Sequence, residues 1–103
     1  MAISQNINNS KMKDQILKDF ETYTKGELEV AKHKLNSISS TGTISNYSTK
    51  LSVFSETLKY LNNEFVSHAN SILEINTEID NLKDDLFGIA KSAIEEYIKY
   101  FKG

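Results

Sequence analysis

A chain of 103 residues, 39% hydrophobic and 25% charged, has the composition of one folded domain and lies well away from disorder. Its formal net charge of −2 supplies no basic footprint for a phosphate backbone or an anionic membrane, which argues against nucleic acid as a partner. The absence of cysteine excludes disulfides, thiolate metal sites and cysteine nucleophiles.

Residues 1–9 are polar and asparagine-rich, and read as a flexible lead-in. The opening Met-Ala-Ile-Ser-Gln-Asn has neither a basic n-region nor an apolar h-region, so no cleaved leader is expected. Asn9 or Ser10 can cap a first helix over about 10–38. In it, Leu17, Phe20, Thr24, Leu28, Ala31, Leu35 and Ile38 step by three and four, with Ile16, Tyr23 and Val30 widening the stripe on one flank. The periodicity stops over 39–46. There Gly42 suits a chain reversal, and a connection this short makes its two flanking helices antiparallel neighbours.

A second stripe runs from Tyr47 to Ala93 through Leu51, Phe54, Leu58, Leu61, Phe65, His68, Ile72, Ile75, Ile79, Leu82, Leu86 and Ile89. A repeat of this period faces one partner helix along its whole length, as in a coiled coil. The chain has no proline, and no glycine lies between 43 and 87. One long helix over about 46–101 is therefore expected, although Asn62-Asn63 and the Thr-x-x-Asp capping pattern at Thr77–Asp80 mark two places where it can break. The expected fold is all-α: an elongated, coiled-coil-like antiparallel helical hairpin with a long second helix, forming a single domain.

The two helices differ in length. At 1.5 Å per residue the first spans ~44 Å and the second ~84 Å, so the hairpin covers the second stripe only to about residue 75. Beyond that point the apolar residues have no partner in the hairpin, and burying each large one is worth ~1.5–3 kcal/mol. The sequence therefore points to a partner-binding seam of Leu58, Phe65, Ile72, Ile79, Leu82, Leu86 and Ile89, with Tyr97 and Phe101 as tail contacts.

Chemistry is sparse. His33 and His68 lie on different helices and no cluster offers three or four metal ligands, so no metal and no cofactor are expected. His68 reads as a packed seam residue. Neither Gly-x-Ser-x-Gly nor a glycine-rich phosphate loop occurs, and the chain reads as a non-enzyme. No run approaches the ~18 apolar residues of a membrane span, so no membrane insertion is expected.

About a hundred residues, a helical hairpin with a turn glycine, no leader and no cysteine resemble the WXG-type (Esx-like) proteins of type VII secretion. More specifically, the chain is similar to the small helical partners encoded beside LXG-domain toxins in Gram-positive bacteria. Where the namesake Trp-x-Gly would fall, at Ser40-Thr41-Gly42, only the glycine matches. The export pattern Tyr-x-x-x-Asp/Glu occurs at Tyr23…Glu27 and Tyr60…Glu64, inside helices. The resemblance implies a targeting factor or chaperone that packs against the helical LXG domain of a toxin and assists its export, alone or with a second small helical partner. It implies a cytoplasmic protein that is exported with its partner. Two alternatives stand beside it: a free-standing, secreted Esx-like homodimer, and an unrelated coiled-coil adaptor or structural protein.

Overall fold

The computed structural model describes residues 2–38 and 44–103, with side chains from Lys11 to Ile38 and from Tyr47 onward. The expected turn 39–46 and its Gly42 lie largely outside the described residues. Three helices make up the described part: α1 (Ala2–Asn36), α2 (Ile44–Ile75) and α3 (Leu82–Lys102). The molecule is elongated, 66 × 17 × 16 Å.

Helix α1 starts at Ala2, not at a cap near Asn9, so the lead-in read from the sequence is helical. Residues 2–9 hold no proline or glycine, and each asparagine or serine costs a helix only ~0.7 kcal/mol or less. Extending an existing helix through them needs no second nucleation. Toward the other end, Thr24 bonds its hydroxyl back to the Glu21 carbonyl at 3.0 Å, which lets a polar residue be buried on the apolar face.

The expectation of one helix over 46–101 is corrected. Helix α2 passes through Asn62-Asn63 but ends at Ile75, and the chain turns back over 76–81. The Asn76 side chain donates to the Ile72 carbonyl at 2.8 Å, and the Asn76 backbone N–H donates to Leu73 at 3.3 Å. Asn81 enters α3 in the left-handed conformation, φ 61°, which asparagine tolerates better than most residues. The cap is thus Asn81, four residues beyond Thr77. Asp84 and Asp85 in the first turn of α3 and Lys99 and Lys102 in the last complement the helix dipole.

Folding back gives the second half of the stripe an intrachain partner. Helix α3 lies against both α1 and α2, most extensively against α1. Phe20, Leu28, Ala31 and Leu35 of α1, Leu61, Phe65 and Ala69 of α2, and Leu82, Leu86, Ala90, Ala93 and Tyr97 of α3 form one core. Polar contacts fix the register. Lys13 pairs with Asp85 at 2.9 Å and donates to the Asp80 carbonyl at 3.1 Å; Lys32 pairs with Glu96 at 2.8 Å, and the Tyr100 hydroxyl bonds the Asn36 side chain. Helices α1 and α3 therefore run parallel, with α2 antiparallel to both.

Candidate helix-docking grooves

Three long helices in a triangle leave three grooves, and each has its own chemistry. Between α2 and α3 lies an open groove of about 360 Å³ with Phe65, Val66, Phe87, Ala90 and Ile94 as its apolar lining. Val66 is 44% exposed, and Phe87 and Ile94 are half-buried. Asn62, Lys91 and Glu95 form the polar edge, with Lys91 and Glu95 at 4.0 Å from each other. Apolar floor, polar rim and two antiparallel helical walls are what an amphipathic helix needs in order to dock.

Between α1 and α3 lies a groove of about 490 Å³ with a different character. Glu21, Asp84, Asp85 and Glu96 line it, with Lys25 the basic member and Thr24, Gly88, Ser92 and Ala93 at its base. Most of this acidity is answered locally: Lys25 pairs with Glu21 at 3.0 Å, Lys13 with Asp85 and Lys32 with Glu96. Lys32 also sits over the Tyr100 ring at 5.3 Å. Its ammonium is held protonated above the ordinary lysine value, chiefly by its bond to Glu96.

The α1–α2 face is aromatic. Tyr23 stacks on His68 with ring centroids 4.1 Å apart, Phe20 lies 5.7 Å from the same imidazole, and Tyr23 meets Phe65 edge-on at 5.9 Å. The antiparallel register then brings the two Tyr-x-x-x-Glu copies together. The Tyr23 phenol is pushed above its usual value by burial first, then by Glu27, Glu64 and Tyr60. The exposed Tyr60 phenol is pushed up by Glu27 and Glu64 and then by burial. Among the described residues no basic side chain pairs with either glutamate.

The seam residues expected to bind a partner divide between these surfaces. Leu82, Leu86 and Tyr97 are fully buried in the chain's own core, as is Phe65. Leu58, Ile72, Ile79, Ile89 and Phe101 are half-buried and packed against that core. The premise that residues beyond about 75 lack an intrachain partner is therefore corrected: the chain itself covers them. Phe87 and Ile94 of α3 are half-buried against the same core, and with the exposed Val66 they line the α2–α3 groove. The spacing of Phe87, Ala90 and Ile94 by three and four signals that second face, and Val66, Ala69 and Leu73 repeat the same spacing on α2.

The Tyr97 hydroxyl is buried and has no well-formed hydrogen bond, although Thr57 faces it; burial raises its phenol value and Thr57 offsets part of that rise. Among the described residues no three His, Asp or Glu side chains gather as a metal group, and no helix is long and apolar enough to cross a membrane. The class these observations define is an all-α three-helix bundle with an accessible apolar groove. Compared with protein-family models, curated proteins and solved structures, the chain matches none.

Proposed function

We propose that this chain is a non-enzymatic helical binding partner whose α2–α3 groove receives a helix of a larger helical protein. The observation that carries this reading is the groove itself: the exposed Val66 and the half-buried Phe87 and Ile94 present apolar surface along two antiparallel helices. A docked helix buries these side chains at ~25 cal/mol per Å² of apolar surface removed from water.

The specific occupant proposed is the helical LXG domain of a toxin bound for type VII export, with this chain as its targeting factor or chaperone. The support is the resemblance in length, helical make-up and lack of cysteine, together with two Tyr-x-x-x-Glu copies on the α1–α2 face, apart from the lining of the apolar groove. On this reading the chain starts in the cytoplasm and leaves with the toxin. Co-expression with an LXG-domain protein, followed by purification through a tag on one chain, tests the assignment. Recovery of both chains in a fixed ratio supports it; recovery of the tagged chain alone contradicts it.

A further inference from the structure

Phe65, His68, Ile72, Ile75, Ile79, Leu82, Leu86 and Ile89 step by three and four with no change of phase through the α2–α3 corner. Neither proline nor glycine interrupts that run before Gly88. The same residues therefore suit one uninterrupted helix as well as two, and the corner is held by what α3 buries, not by a local breaker.

The corner is locally unfavourable. Ile75, on the stripe, is 82% exposed, more than any other large apolar side chain among the described residues. Asn81 occupies the left-handed region that L residues adopt at a cost, and its side chain makes no capping bond. Making 76–81 helical relieves the left-handed residue and replaces the corner's long turn bonds, such as Ile79 to Asn76 at 3.3 Å, with a regular ladder. In a single chain this is prevented, because straightening bares Leu82, Leu86, Ala90, Ala93 and Tyr97.

A second copy of the chain supplies the surface that those residues require. Its α1 and α2 carry Lys13, Lys32, Asn36 and Phe54, the partners of Asp85, Glu96, Tyr100 and Tyr97 within one chain. An unrelated helix has no reason to match all four. We infer that two copies exchange α3, forming a swapped dimer in which residues 44–102 of each are one helix of about 88 Å. Each α3 recovers its buried face and its ion pairs between chains, and both corners are relieved. The α2–α3 groove keeps its composition, because the same two walls meet in the exchanged unit.

The test uses the full chain, which has no cysteine of its own. Lys13→Cys chains are mixed with Asp85→Cys chains, unfolded and refolded together at high concentration, and treated with a short bismaleimide. The exchange predicts a cross-linked pair at twice 11.7 kDa, since position 13 of one copy then faces position 85 of the other. Substitutions at the corner give a second readout by size-exclusion chromatography with light scattering. Asn81→Ala, poor in the left-handed region and good in a helix, raises the dimerisation constant roughly tenfold or more over Asn81→Gly. No cross-linked pair from helical, refolded chains overturns the inference. So do equal dimerisation constants for the two Asn81 variants.

Discussion

Phe54 of α2 stacks on Tyr97 of α3 with ring centroids 5.1 Å apart and planes 29° from parallel. The contact exists only because the chain reverses at 76–81; in a straight helix the two rings would lie some 60 Å apart at 1.5 Å per residue. Phe101 stacks on the same Phe54 ring, with centroids 4.1 Å apart. This aromatic group closes the end of the bundle opposite the corner and turns the far half of the apolar stripe inward.

Tyr97 makes a pH prediction. Burial raises its phenol above the ordinary value of 10.0, so the fold favours the neutral form. Stability from this group is present below about pH 10 and is lost as pH rises through the folded value. Tyr97→Phe keeps the stacking and removes both the titration and a buried hydroxyl that lacks a good partner. Its stability at neutral pH should be unchanged or higher by about 1 kcal/mol, with alkaline unfolding displaced upward. Urea titrations at several pH values check both.

Gly26 sits inside α1 with nothing within 4 Å of where a Cβ would stand. Alanine there meets no clash and removes the backbone entropy that glycine loses in a helix. Gly26→Ala should stabilise the chain by about 0.5–1 kcal/mol, read as a higher urea midpoint at unchanged slope.

The convergence of Tyr23, Glu27, Tyr60 and Glu64 has a spectroscopic consequence. Glu27→Gln with Glu64→Gln removes the two carboxylates that chiefly raise the Tyr60 phenol. Ultraviolet titration of the phenolates should then show Tyr60 ionising at lower pH than in the parent chain. Variants Tyr23→Phe and Tyr60→Phe assign the two signals.

The all-α class and the first stripe were legible in periodicity, because one helix face is a local pattern. The corner was not. From Ile72 to Leu86 the spacing stays in phase, and the decision to turn rests on non-local burial of Leu82, Leu86 and Tyr97 against α1. The sequence did carry the left-handed tolerance of asparagine, at position 81, but the capping pattern at Thr77 drew attention four residues too early. The Tyr23–Tyr60 cluster was legible only as two separate motifs, since its assembly depends on antiparallel register. Val66 shares a three-and-four spacing with Ala69 and Leu73, but its exposure becomes informative only once Phe87 and Ile94 are placed beside it.

Docking of a helix between α2 and α3 is read out by the affinity of Val66→Asp for the proposed LXG-domain partner. Val66 is 44% exposed and lies outside the buried core, so the variant should keep wild-type helicity by circular dichroism. A carboxylate buried in that groove without a partner should weaken binding by roughly a hundredfold. Tyr60→Ala, on the α1–α2 face, should leave the dissociation constant unchanged. The opposite pattern, with Val66→Asp binding as the parent does and Tyr60→Ala losing affinity, would contradict the account and place the partner on the α1–α2 face.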